Sequence, residues 1–193
     1  MARKSNVEAT ERPLIERYLA RERSPQFLAE LDEVFFEASG TKTFADEAAR
    51  LYFRERWLGR YLTHDPELAF LAIAAPGQQE ETVAGYLVGA LDDPARAPRF
   101  ADLGYFQILA DVTARYPAQL HVNLAPAWRG AGIGRDLVDA FIADARSAGA
   151  PGVHVVTSRG MRNVRFYAQC GFVELGACEW NGRELLMLGR ALD

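Results

Sequence analysis

The residues whose types and spacing point most directly to chemistry lie in one stretch, Leu120-His-Val-Asn-Leu-Ala-Pro-Ala-Trp-Arg-Gly-Ala-Gly-Ile-Gly134. A strand-like run feeds a loop carrying Arg129, Gly130, Gly132 and Gly134, and the loop opens onto an amphipathic helix. Glycines let a backbone approach a ligand with no Cβ in the way. The start of a helix presents free N–H groups and the positive end of its dipole, which suits a phosphate or pyrophosphate. Arg129 and Arg135 add positive charge. A nucleotide-triphosphate loop ends in Gly-Lys-Ser/Thr, whereas Gly134 is followed by Arg135-Asp136. The third glycine of a dinucleotide fingerprint would fall at Arg135 or Leu137, and neither is glycine. Two readings remain at this level: a phosphate-holding loop, or a glycine turn that only lets helix and strand pack closely.

The elements that must position this loop follow from periodicity. A helix over 26–38 carries Phe27, Leu28, Leu31, Val34 and Phe35 at the 3.6-residue period, with Ser24-Pro25 opening it. A second helix over 44–62 is expected to bury Ala48, Leu51, Tyr52, Trp57, Leu58 and Tyr61. Apolar runs at 68–75 and 82–91 read as a hairpin. The segment 92–117 reads as an insert with one amphipathic helix over 101–116, whose Phe106, Leu109 and Val112 need cover. Strands at 119–124 and 152–156 flank the clearest helix, 134–148, and a short helix covers 163–170. Two last strands, 172–179 and 184–190, turn at Asn181-Gly182. The order is that of an α/β protein, read as one domain over 1–193: an N-terminal helical region over residues 1–65, the insert, and a ligand-binding core 119–173.

Composition narrows the classes. The chain has 193 residues, 49% apolar, with a net charge of −4. That apolar fraction supports a large core and excludes wholesale disorder. There are 20 Arg and 2 Lys, but the acidic balance argues against a nucleic-acid partner. Cys170 and Cys178 make neither a disulfide framework nor a zinc site, and His64, His121 and His154 are scattered, so no metal is expected. No membrane span or signal peptide is visible, and a cytoplasmic location is expected.

Arg129-Gly-Ala-Gly-Ile-Gly134 resembles the Arg/Gln-x-x-Gly-x-Gly/Ala loop of the GNAT superfamily of N-acetyltransferases. Leu124-Ala-Pro126-Ala-Trp-Arg129 resembles the segment that usually precedes it, and Asn163-Val-Arg-Phe-Tyr167-Ala-Gln-Cys-Gly171-Phe172 resembles the family's second signature. Tyr116 to Val122 and Ala150 to His154 are similar to the branch that includes the acetyltransferase-like domain of O-GlcNAc hydrolases, some members of which lack activity. The resemblance implies a mixed central sheet with two N-terminal helices, a splayed central strand pair and a C-terminal hairpin. It implies acetyl-coenzyme A as co-substrate and a small-molecule or peptide amine as acceptor, with a homodimer left open; against the family's usual short loop, the insert 92–117 is expected to wall the acceptor side. A non-catalytic acyl-coenzyme A-binding module is the alternative.

Site roles carried by the resemblance are these. The backbone of Arg129, Gly130, Ala131, Gly132, Ile133 and Gly134 would hold the pyrophosphate, and the backbone of Val122, Asn123 and Leu124 would pair with the pantetheine arm. Tyr167 would act as general acid toward the thiolate leaving group, because a phenol of pKa ~10 stays protonated at neutral pH; otherwise it is a core tyrosine. Asn163 would either bind the coenzyme or cap its helix. Where relatives place a carboxylate early on the central strand, this chain has Tyr116-Pro-Ala-Gln119. His121, which shares a strand face with Asn123 by the period of two, is the candidate base. Asn123 stands where relatives of that branch often carry Asp. Glu33 and Glu37 on the first helix are further carboxylates.

Overall fold

The computed structural model describes residues 12–192. A seven-stranded sheet runs through the molecule in the order β1-β2-β3-β4-β5-β7-β6. The strands are β1 (Leu14–Arg17), β2 (Phe70–Ala74), β3 (Thr82–Ala90), β4 (Ala118–Leu124), β5 (Gly152–Ser158), β6 (Val173–Trp180) and β7 (Arg183–Ala191). Every neighbouring pair is antiparallel except β4 with β5. Helices cover both faces, so β2 is buried along its whole length and reads in sequence as a continuous apolar run.

One face packs against α1 (Pro25–Ala38) and the helix that runs on from α2 (Glu47–Arg54) to α3 (Arg60–His64). Ser24 caps α1: its side chain accepts from the Phe27 N–H at 3.2 Å, with Pro25 at the first helical position. The other face packs against α6 (Ile133–Ser147) and α7 (Asn163–Gln169). The apolar stripe of α6, Leu137, Val138, Phe141, Ile142 and Ala145, is sequestered as its period requires. Asn181 and Gly182, both at positive φ (49° and 71°), make the tight turn between β6 and β7. Among the described residues no helix is long and apolar enough to cross a membrane.

Three expectations need correction. The N-terminal region is not helical only: β1 adds a strand at the sheet edge, antiparallel to β2. Its four residues, Leu-Ile-Glu-Arg, carry too short an alternation to register in sequence, and its charged end is held by pairing, Arg17 to Asp144 at 2.6 Å. The expectation for residues 1–11 lies outside the described residues. In the second helix Leu51 and Tyr52 are exposed rather than buried. A π-turn at Glu55–Gly59 adds a residue to the turn and rotates α3 relative to α2, so that α2 reaches the core through Phe53 while the fully buried residues, Leu58 and Tyr61, lie in the later segment.

The insert is the third. Residues 101–116 do not form one helix but two single turns, α4 (Tyr105–Ile108) and α5 (Ala110–Thr113), interrupted where Leu109 leaves helical geometry (φ −105°, ψ 23°). Packing overrides the periodicity: Phe100, Leu103, Tyr105 and Phe106 all enter the core on the α1–α3 face. Tyr105 meets Trp180 of β6 edge-on at 5.1 Å, and Asp102 takes ion pairs from Arg56 at 2.7 Å and Arg60 at 2.8 Å. The insert therefore fills the space between α3 and β6 on the His121 face of the sheet.

Candidate functional site

β4 and β5 pair only through Ala118 with Val153 and Gln119 with His154. Beyond Leu120 the two parallel strands separate, while the opposite edge of β4 stays paired to β3 as far as Leu124. Val122, Asn123 and Leu124 thus sit on a strand edge without a strand partner, half-buried in a wedge. Backbone amides in that position need partners. An extended ligand that carries amides of its own can supply them as an added strand would.

The glycine loop stands at the open end of the wedge. Gly130 and Gly132 both have φ +84°, a conformation that favours glycine. A Cβ on Gly130 would meet nothing within 4 Å, so space there is open. Gly134 is different: a Cβ would lie 3.1 Å from the Phe166 ring and 3.4 Å from Leu124, so this glycine serves close packing of α6 against α7 and β4. The close-packing reading of the loop therefore applies at Gly134, while Gly130 and Gly132 leave room for a ligand. Ala131 is exposed, whereas the Ile133 side chain is in the core, leaving only its backbone toward the loop. Arg129 Nε donates to the Leu124 carbonyl at 3.0 Å, fastening the loop to the end of β4. The Arg135 guanidinium is engaged by the Gln169 carbonyl. One residue escaped the sequence reading. Arg12 reaches from the N-terminal segment to Asp136 in the first turn of α6, its Nε 3.0 Å from Oδ2, and its guanidinium lies 3.3 Å from where a Gly132 Cβ would be. No local signal marks a contact 124 positions apart.

On the α6–α7 face, Tyr167 is buried between Phe166 and Phe172, at ring separations of 5.1 and 5.6 Å. Burial, then nearby Cys170, raises its phenol above the ordinary value, so it stays protonated at neutral pH. Asn163 is not the cap of α7, since Arg162 holds that position. Its Oδ1 accepts from Thr157 Oγ1 on β5 at 2.8 Å, which leaves its amide N–H groups for another partner.

On the opposite face His121 and Asn123 project together, as the period of two requires. Asn123 Nδ2 donates to the Tyr86 hydroxyl at 2.7 Å. His121 Nε2 is 3.0 Å from the Tyr61 hydroxyl, and its ring meets Trp57 and Tyr61 edge-on at 5.5 and 5.2 Å. The turn of helix that carries Trp57 and Tyr61 is the one displaced by the π-turn. Glu33 and Glu37 are exposed on α1 beside an open groove and are not brought to His121 by any hydrogen bond among the described residues.

Burial, with His154 and Arg60 nearby, pushes the His121 imidazole down to about 4, and burial does the same to His154. Both are neutral in the folded chain near pH 7, while an unfolded histidine titrates near ~6.5. The folded pKa is the lower one, so the unfolded chain binds more protons between these values. Stability is full above about 6.5 and falls as pH drops toward about 4. For fully buried His154 this amounts to a loss of about 2 kcal/mol between roughly pH 7 and pH 4.5. Urea unfolding of the wild type and of His154→Gln at the two pH values measures it; the same pH dependence in both would mean that His154 takes up its proton at no cost to the fold.

Comparison with known proteins places this architecture. A family model described as the acetyltransferase (GNAT) family matches residues 24–172. The crystal structure of a protein called SsHAT is similar at a TM-score of 0.70 and 23% identity, over 94% of this chain and 98% of that one. The NatC complex bound to Gag peptide and CoA contains a similar chain: TM-score 0.62, 15% identity, 93% of this chain and 98% of that one. The structure of yncA from Salmonella typhimurium with its cofactor acetyl-CoA is similar too: TM-score 0.57, 18% identity, 94% of each chain. At these identities the likeness to solved structures is one of fold.

Proposed function

The chain belongs to the acetyltransferase (GNAT) family, and on that premise we propose that it transfers an acetyl group from acetyl-coenzyme A to a primary amine of a small molecule or peptide. The amine nitrogen attacks the thioester carbonyl directly, the C–S bond breaks, and no covalent enzyme intermediate forms. The observation that supports this reading is the wedge between β4 and β5, where an unpaired strand edge leads into a glycine loop at a helix start.

In this reading the backbone of Val122, Asn123 and Leu124 pairs with the amides of the pantetheine arm. The N–H groups from Arg129 to Gly134 hold the pyrophosphate, with Arg12 beside them as a cation. Asn163 offers its free amide to the coenzyme. Tyr167 donates its proton toward the departing sulfur. His121, neutral and half-buried, accepts the proton that the amine loses. Trp57, Tyr61 and the insert wall the acceptor side. Because the insert is core, acceptor preference is better probed by conservative changes at its rim than by its deletion. We place the chain near the O-GlcNAc hydrolase-like branch on its residues 116–122 and 150–154, and the reaction in the cytoplasm, in keeping with two free cysteines.

The test is release of free coenzyme A thiol from acetyl-coenzyme A across a panel of amines, beside calorimetry with the coenzyme alone. The expected result is coenzyme binding together with amine-dependent thiol release. Binding with no release for any amine would make the chain a non-catalytic acyl-coenzyme A-binding module. Absence of binding would remove the coenzyme from the account.

A further inference from the structure

The His121 face of the sheet holds three buried polar side chains, Tyr61, Gln119 and His154, and the Tyr61 hydroxyl links Gln119 to His121. The Tyr61 hydroxyl lies 3.0 Å from His121 Nε2 and 3.3 Å from Gln119 Oε1. Gln119 and His154 are register partners on the parallel pair β4 and β5, so they stand side by side on the same face. Gln119 Nε2 and His154 Nε2 are both buried without a protein partner.

The protons can be placed in order. His154 Nδ1 is 2.5 Å from the Tyr116 carbonyl, which only accepts, so Nδ1 carries the hydrogen and Nε2 is a buried lone pair. On the neighbouring strand Gln119 turns its Oε1, not its NH₂ group, to the Tyr61 hydroxyl. That oxygen only accepts, so it takes the Tyr61 hydroxyl proton. A phenol has one proton to give. Its oxygen must therefore accept from His121, which places the second imidazole hydrogen of the series on Nε2. His121 Nδ1 has no protein hydrogen bond among the described residues, and the His121 side chain is only partly buried.

We propose that Tyr61 and Gln119 are positioning residues that hold His121 as its Nε2–H tautomer, leaving Nδ1 as the ring nitrogen that accepts the amine proton. The catalytic consequence rests on the acetyl-transfer reading above; the tautomer assignment does not. The accepted proton leaves from Nδ1 to solvent, and the Nε2 hydrogen stays on Tyr61 throughout.

Nitrogen-15 NMR of histidine-labelled protein tests this directly, because the chain has only three histidines and single substitutions of His64 and His121 assign them. The expected spectrum shows His121 protonated on Nε2 and His154 protonated on Nδ1. His121 on Nδ1, or a mixture of both forms, would overturn the proposal without any variant. Tyr61→Phe keeps the ring packing and removes the hydroxyl. It is expected to leave His121 a mixture of tautomers and to lower kcat roughly tenfold with coenzyme affinity unchanged. A His121 that keeps the pure Nε2–H form in Tyr61→Phe would also overturn it. The predicted tautomers in a chain that acetylates no amine would support this assignment and count against the acetyl-transfer reading alone.

Discussion

Replacing Tyr167 by Phe is expected to lower kcat by roughly 10²–10⁴ while coenzyme affinity stays nearly the same. The hydroxyl is the one polar atom lost, and the ring keeps its contacts with Phe166 and Phe172, so the fold and the wedge should survive. Burial makes ionisation of this phenol harder than usual, so at neutral pH the group is always the donor and never a competing anion. A thiolate departing next to it would take the proton, and the phenolate would be reprotonated from water at the mouth of the cleft. Loss in kcat with unchanged coenzyme binding is the signature of a group that acts only as the leaving group departs. Wild-type turnover in the variant would move this role to water or to another side chain.

The contrast between Tyr167 and the base shows what sequence makes legible. Tyr167 lies inside a local signature, Asn163 to Phe172, whose spacing is set by one helix, and the structure places that helix within two residues of the expected span. Strands, the central helix and the closing turn were readable for the same reason: their periods are local. The splayed pair was expected only from resemblance, since nothing in 118–124 or 152–158 says that two parallel strands stop pairing after two residues. His121 was visible as a strand histidine, but its environment was not. Trp57 and Tyr61 reach it across about 60 positions, and they do so from a helix whose π-turn has no periodic trace. β1 and Arg12 were missed on similar grounds, one too short to alternate and the other meaningful only through Asp136. The broken insert was misread because its apolar residues, which fit a helical period, answer instead to a core shared by α3, β5 and β6.

Gly132→Asp is expected to weaken acetyl-coenzyme A binding by roughly 100-fold or more, to the point of abolishing it in an ordinary titration. Two effects act in the same direction. Gly132 holds φ +84° at the start of α6, a backbone conformation that an L-residue adopts only with strain, so the loop would shift away from its present shape. The new carboxylate would also stand where the pyrophosphate is proposed to bind, and it would compete for the Arg12 guanidinium that lies 3.3 Å from the position of its Cβ. A neutral companion separates the two contributions. Gly132→Ala brings the strain without the charge, and it should bind more weakly than the wild type but better than the aspartate variant. Gly130→Ala, at a position of the same φ with nothing within 4 Å of its Cβ, isolates the backbone strain from any contact at all. Calorimetry on folded protein, checked by circular dichroism, ranks the three. Wild-type affinity in a folded Gly132→Asp would show that the loop before α6 holds no phosphate, and its glycines would then be explained by turn geometry and by the packing already seen at Gly134.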